Sequence, residues 1–503
     1  MRAMTFLALP LALLTISIAQ ATEQCINCHK SITPGIVADY KRSVMAEKGV
    51  GCLDCHGELP GHDDPSVVTH YGNRITPVPS PKYCERCHAQ QVREFMDSKH
   101  AWTALIGPFK PWYNDLVKQG KLKAGEAPSE KIMRENDPYA DFRSRVTPLY
   151  PASGMMDRLG LREELDGYGN ILYCLECHGS AVIVDDEGKI VKGWPNNGVG
   201  RLNPDGVPGS CASCHTRHKF SIEEARAPET CGQCHLGPDH PQIEIYEESK
   251  HGNIFFSLEN KSFLKEEDLT PENTPAPTCA VCHMSGFNGV PATHDVGERL
   301  YWELQPKIST PQWYPANLVA VGQHSPDEAK AQQNRKNMMQ VCQGCHSPRW
   351  VKMYFDEFDR VVEDYNRVAK SAKALLDRIY QEGLADKSNS LDEYPEFMWY
   401  YIWHHDGRRW RMGASMMGPD WAHWNGIVDT LMDKYGRMQA WYDTQIKIKN
   451  LEAMVEAAKT QQVTEIAQTQ TPEKSQAKAI PFASLPIVLA AVTWAALLAR
   501  RRK

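Results

Sequence analysis

Eight times along this 503-residue chain a Cys-x-x-Cys pair is followed at once by histidine, and these motifs use all 16 cysteines. In order they are Cys25/Cys28/His29, Cys52/Cys55/His56, Cys84/Cys87/His88 and Cys174/Cys177/His178. Cys211/Cys214/His215, Cys231/Cys234/His235, Cys279/Cys282/His283 and Cys342/Cys345/His346 complete the set. Two thiols on one short turn can add across the two vinyl groups of a haem, and the next residue then delivers an imidazole to the iron. Tetrahedral zinc does not require a histidine directly after each second cysteine, and a disulfide framework does not require regular Cys-x-x-Cys pairs. The chain is therefore expected to carry eight covalent c-type haems, with His29, His56, His88, His178, His215, His235, His283 and His346 as proximal ligands.

That expectation constrains the fold more than length does. Macrocycles supply much of the apolar interior, so the Gly- and Pro-rich stretch through His346 can wrap haem faces without long regular elements. Beyond it the pattern changes. Phe355, Phe358, Val362, Tyr365, Val368, Leu375, Leu376 and Ile379 recur at helical spacing up to Gly383, which reads as a helix stop. A second helical stretch is expected over 396–405 and a third from Pro419-Asp420 to about Ala458, with breaks at Gly426 and Gly436. The aromatics concentrated here, among them Trp399, Trp403, Trp410 and Trp441, read as packing residues. The fold class expected is mainly α: a multihaem cytochrome c core of haem-wrapping loops, a C-terminal long-helix region and one C-terminal transmembrane helix.

The ends carry targeting signals. Arg2, an apolar run from Phe6 to Ala19 and small residues at Ala19 and Ala21 read as a signal peptide over 1–21. The apolar segment 480–499 has the ~20-residue length of a membrane span, and Arg500, Arg501, Arg502 and Lys503 after it would stay cytoplasmic. The division expected is thus 22–350 for the octahaem core, 351–459 for the helical, oligomerising region, 460–479 for a polar linker, 480–499 for the span and 500–503 for a basic tail. An exported, extracytoplasmic protein anchored to the cytoplasmic membrane by its C-terminal helix follows. The formal charge of −6 becomes more negative with haem propionates, and no basic stripe argues for nucleic acid.

Nineteen histidines are present and eleven lie outside the motifs. Ser98-Lys99-His100 and Ser249-Lys250-His251 are near repeats, which points to two distal haem ligands. His294 and His405 each precede an aspartate that can orient an imidazole. His62, His70, His218 and His423 are further distal candidates, whereas His324 and His404 read as surface or packing residues. Gly237-Pro238-Asp239-His240-Pro241 stands apart, because two prolines fix a carboxylate beside an imidazole. It reads either as a rigid turn with a haem-ligating histidine or as an acid–base pair above an open haem.

The motif count and order, both Ser-Lys-His elements, Gly237–Pro241, Thr293-His-Asp-Val-Gly297 and His405-Asp-Gly-Arg-Arg-Trp-Arg-Met-Gly-Ala414 together resemble the octahaem cytochromes of the hydroxylamine oxidoreductase family. The resemblance covers roughly 25–458. It implies a homotrimer formed through the C-terminal helices, and one haem, held by Cys174 and Cys177 with His178 below it, whose iron is open on its other face. Asp239 and His240 would match the distal residues, with Tyr301 and Tyr314 both candidates for a distal tyrosine. Oxidative members cross-link a tyrosine from a neighbouring subunit to that haem. The matching segment here reads Ile427-Val428-Asp429, with Tyr435 the next tyrosine, so the chain resembles the reductive branch unless Tyr435 serves. The implied activity is reduction of nitrite or hydroxylamine to ammonium, fed by a membrane or periplasmic, quinone-linked cytochrome. Hydroxylamine oxidation to nitric oxide or nitrite and pure electron transfer are the alternatives.

Overall fold

The computed structural model describes residues 22–140, 174–238, 240–300, 328–387 and 393–469. Short helices and turns dominate as far as His346, interrupted by two small antiparallel hairpins. Each helical piece begins where the local sequence supplies a start. Ser80 accepts from the Lys82 N–H ahead of Pro81–Asp97, and Ser129 accepts from Ile132 ahead of Glu130–Glu135. In the first hairpin, Val68–His70 pairs with Asn73–Ile75, and Tyr71 and Gly72 both take positive φ. Two such residues make the tight turn whose twist suits paired strands. His70 is thereby held at the hairpin's tip.

Two apolar clusters back this part of the chain. One gathers Leu105, Phe109, Trp112, Tyr113, Met133 and Leu202. The other joins Tyr246, Phe255, Phe263, Leu264, Val281 and Val341.

From Ser347 onward the architecture is helical. The helix Pro348–Gln381 starts on Ser347, whose hydroxyl accepts from Trp350 N–H, and Pro348 opens it where no N–H is needed. Its buried face includes Val351, Phe355, Phe358, Tyr365, Ala369, Ala372, Leu375, Leu376 and Ile379, an apolar stripe at helical period. Gly383, at φ +67°, ends it as expected. Tyr394–Tyr400 follows, widens into a π turn over Tyr401–Asp406 and continues as Gly407–Ser415. A second wide stretch, His423–Tyr435, leads into Gly436–Thr469. This last helix runs past Ala458, where the sequence pattern suggested its end. Met398, Trp399, Ile402, Trp410 and Met438 close a core against Pro348–Gln381. Residues through Tyr442 form one compact unit; a second begins at Asp443 and contains the rest of the terminal helix, on which Leu451, Met454, Val463 and Ile466 are exposed.

The expected transmembrane helix and the membrane-anchored location are corrected. Among the described residues no helix is long and apolar enough to cross a membrane. The longest ones carry charge along their length: Pro348–Gln381 is polar on one face, and Gly436–Thr469 interleaves Lys, Glu and Gln with its apolar residues. The mainly helical fold stands without that span. Segments 1–21 and 480–499 lie outside the described residues.

Candidate functional site

A cavity of about 3390 Å³ extends through the first unit, and all eight motif histidines line it. None of the sixteen cysteines is in a disulfide. The motifs form a connected series. Cys25 lies near Cys52, Cys84 near Cys211, Cys231 near Cys279 and Cys177 near Cys234, and Cys177 Sγ is 4.0 Å from the carbonyl of Gln233, next to Cys234. Cys55 likewise lies near Cys84 and Cys87, Cys214 near Cys231, and Cys282 near Cys342 and Cys345. Linked in this way, the first, second, third, fifth, sixth, seventh and eighth motifs make a chain, and the fourth joins it at the sixth.

Among the motif cysteines Cys28 is placed differently. Every other motif cysteine lines the cavity, whereas Cys28 is exposed and forms no part of its wall. The reason is position. The first motif lies near the start of the described chain, and Lys30, Ser31 and Ile32 beside it are exposed as well. That side of the turn meets solvent, while Cys25 and His29, four residues apart on one helical face, turn inward.

Across the cavity, imidazoles face the motif histidines. Ring centroids are 6.2 Å apart for His29 and His70, 6.2 Å for His56 and His218, 6.4 Å for His215 and His294, and 6.1 Å for His251 and His346. Two imidazoles ligating one iron through bonds of ~2 Å have centroids about 6 Å apart. The spacing therefore fits one haem between each pair. Burial lowers the pKa of His215 and His218 to about 4 and also lowers that of His56, His251 and His294. The neutral ring favoured by burial is the form that ligates. Arg201, 3% exposed, lines the cavity near Cys84 and Cys211, where a haem carboxylate can meet it.

The two Ser-Lys-His elements are built alike. Ser98 accepts from His100 N–H and Ser249 accepts from Gly252 N–H, so each serine caps a helical turn with its histidine in the second position. His251 faces His346, and His100 lies 5.9 Å from His235. His235 has a second neighbour, His240, at 6.0 Å. One iron can take only one of them opposite His235, and by the parallel with His251 that place would suit His100. His240 is then left beside the sixth motif, whose Cys234 lies near Cys177 of the fourth.

On its own side His178 is closely covered. Its Nδ1 lies 3.4 Å from the Thr103 carbonyl, and a Cβ at Gly107 would come within 2.4 Å of the same nitrogen. Glycine is what lets that turn close over the ring. His56 Nδ1 bonds the Thr76 carbonyl at 2.8 Å, and His29 Nδ1 bonds Thr33 Oγ1 at 2.9 Å. Such partners fix which nitrogen carries the proton and aim the other at the metal.

Other candidates fall elsewhere. His62 Nε2 bonds the buried carboxylate of Asp205 at 2.9 Å, which engages that nitrogen away from the motif histidines. His423 is exposed beside Trp424. His405 lies among Tyr400, Tyr401 and His404, and it is His404, stacked on Tyr400 at 4.6 Å, that lines the cavity. Among the described residues, no imidazole is found at the 6 Å spacing from His88 or His283. Asp239, Tyr301, Tyr314 and His324 lie outside the described residues. Arg409 was not foreseen: from the C-terminal helices its Nε donates to the Pro238 carbonyl at 2.6 Å.

Comparison with known proteins agrees with this construction. Residues 207–390 match the family model described as seven times multi-haem cytochrome CxxCH, and residues 12–57 match that of cytochrome c554 and c-prime. A probable nitrite reductase–hydroxylamine oxidoreductase fusion protein of Kuenenia stuttgartiensis is 23% identical over 425 residues, which cover 74% of this chain. The match spans only 39% of that relative's length. Among solved structures, a hypothetical multiheme protein superposes with a TM-score of 0.64 at 26% identity, covering 86% of this chain and 96% of the other. A reducing HAO-like protein complex of Kuenenia stuttgartiensis gives a TM-score of 0.56 at 20% identity, with 88% of each chain covered.

Proposed function

We propose that this chain, which resembles multihaem cytochromes c of the hydroxylamine oxidoreductase-like group, carries eight haems and reduces nitrite or hydroxylamine to ammonium. The observation that carries this reading is the position of the Gly237–Pro241 turn. His240 stands 6.0 Å from His235, and Cys177 of the fourth motif lies 4.0 Å from the Gln233 carbonyl, next to Cys234 of the sixth. An imidazole is thereby brought to the junction where the fourth motif meets the chain of paired histidines.

A haem at the fourth motif would be held by Cys174, Cys177 and His178 and would supply an iron to take the substrate nitrogen and a path for electrons. The chain's own residues supply the rest. His178 is aimed by the Thr103 carbonyl and the close turn at Gly107. His240, with Asp239 next to it in sequence, donates protons to the substrate oxygen as the N–O bond breaks, so that oxygen leaves as water. Each such cleavage takes an electron pair, and the connected series of motifs gives electrons a route. The paired imidazoles suit transfer rather than substrate binding, since a haem held by both rings of a pair would have no open face for substrate.

The reductive direction is supported by the helical region. The segment expected to hold a cross-linking tyrosine reads Ile427-Val428-Asp429, and Tyr435 is partly buried against the chain's own helical core. Self-association through the terminal helix and a cytochrome-type electron donor complete the proposal. The exposed Leu451, Met454, Val463 and Ile466 support the former.

The test is the double variant Asp239→Asn/His240→Ala. Turnover of nitrite or hydroxylamine should fall by roughly 10²–10⁴-fold, with every haem still attached and one reduced haem still binding carbon monoxide. Full activity removes the proton-donor role. A covalent tyrosine–haem adduct in the mass spectrum would reverse the direction, and irons that are all low-spin and inert would leave only electron transfer.

A further inference from the structure

Arg409 ties the C-terminal helices to the turn that bears Asp239 and His240. It sits in the helix Gly407–Ser415 with its side chain 11% exposed. Its Nε donates to the Pro238 carbonyl at 2.6 Å, across 171 residues of sequence. The outer guanidinium nitrogens lie 3.3 Å from Asp406 Oδ1 and 3.6 Å from Asp429 Oδ2. Asp406 is itself 1% exposed and also faces Lys434 at 3.7 Å. The arginine is thus fixed from behind by two carboxylates while its remaining donor reaches the turn.

Packing does not hold that turn. Leu236 and Pro238 are exposed, and a Cβ on Gly237, whose φ is +80°, would meet nothing within 4 Å. Polar contacts hold it instead. The Gly237 N–H donates to Glu244 Oε1 at 2.7 Å on one side of the Gly237–Pro238 peptide, and the Pro238 carbonyl is taken by Arg409 on the other. The helix that follows, Gln242–Glu248, is also tied to the C-terminal region, because Glu248 Oε1 accepts from the Asp420 N–H at 2.6 Å.

We propose that Arg409 is a positioning residue: bridged to Asp406 and Asp429, it fixes the Pro238 carbonyl and so sets where His240 stands relative to the reacting molecule. This rests on the acid–base role proposed above for His240. A guanidinium suits the task because its planar fork serves three acceptors in fixed directions, whereas an ammonium is a single point donor. A shift of about 1 Å in a catalytic group can cost as much as 10²-fold in rate even when the altered residue lies away from the chemistry.

The experiment compares wild type, Arg409→Ala and Arg409→Lys as haem-loaded full chains. Amide exchange of the peptide spanning 236–243 is measured beside kcat and KM for hydroxylamine. The alanine variant should exchange at least about tenfold faster in that peptide and lose about ten- to a hundredfold in kcat. Its KM, haem content and paired-histidine spectra should stay unchanged, and lysine should recover part of both losses. Unchanged exchange in Arg409→Ala overturns the clamp whatever the activity. Faster exchange with undiminished kcat overturns its catalytic consequence. A wild type that does not turn over hydroxylamine or nitrite defeats the proposed function, while the exchange comparison still decides whether Arg409 holds the turn.

Discussion

The chain through His346 and the helices after it solve the burial problem by different means. In the first part, thiols and imidazoles line the walls, paired imidazoles face each other at centroid spacings near 6 Å, and apolar clusters such as Phe109 with Trp112 and Tyr113 lie behind them. In the second, Tyr365, Leu375, Leu376 and Ile379 meet Met398, Trp399 and Trp410 directly. Buried polar rings cost free energy unless they bind something. A direct apolar contact needs no third party. The difference teaches which half depends on its cofactor for a core and which half can make its own.

The largest effect that tests this is preventing haem attachment. In the full-length chain made without it, residues 22–346 should lose protection against proteolysis and amide exchange, while 348–442 keeps its helices. Metal-linked folding of this sort makes ligand binding a large part of the folding free energy. Equal protection in both parts would break the comparison. A smaller, complementary perturbation is Ile379→Ala in the haem-loaded protein. Ile379 is fully buried in the helical core, and losing it should cost roughly 2–5 kcal/mol, read as an earlier unfolding midpoint of the helices. Every haem spectrum should stay as it was. A change at a haem would show that the helical core tunes the cofactors directly.

Legibility in the sequence divides along the same line. Haem attachment could be read because Cys-x-x-Cys-His is contiguous and its chemistry is local. What the motif does not encode is how far the rest of the chain closes over it, which is why Cys28 lies outside the cavity wall although its spacing matches the others. The parallel Ser98-Lys-His100 and Ser249-Lys-His251 could be read locally too, since a capping serine and its histidine lie on one turn. The helix Pro348–Gln381 announced itself through its apolar stripe. Side-chain direction near His404 and His405 did not. Tyr401–Asp406 is a π turn, whose hydrogen bonds span five residues instead of four, so a face counted at the ordinary period rotates away. His404 lines the cavity as a result. His62 met Asp205 across 143 residues and Arg409 met Pro238 across 171, and no local pattern signals such partners.

The smallest effect sharpens the comparison inside the haem-wrapping part, at the hairpin that carries His70. Tyr71 takes φ +46° in the first of two turn positions, where a residue with a Cβ is strained and Asn is favoured before Gly. Its ring meets His70 edge-on at 4.8 Å and is 86% exposed, so it packs on little else. Tyr71→Asn should relieve strain by about 0.5–1 kcal/mol and slow amide exchange from Val68 to Ile75. The spectrum of the haem between His29 and His70 should not change. A faster-exchanging hairpin or a shifted spectrum would mean that the tyrosine ring aims His70 and that the turn tolerates strain for that purpose. Local conformation in this half would then be subordinate to haem ligation, just as its packing is.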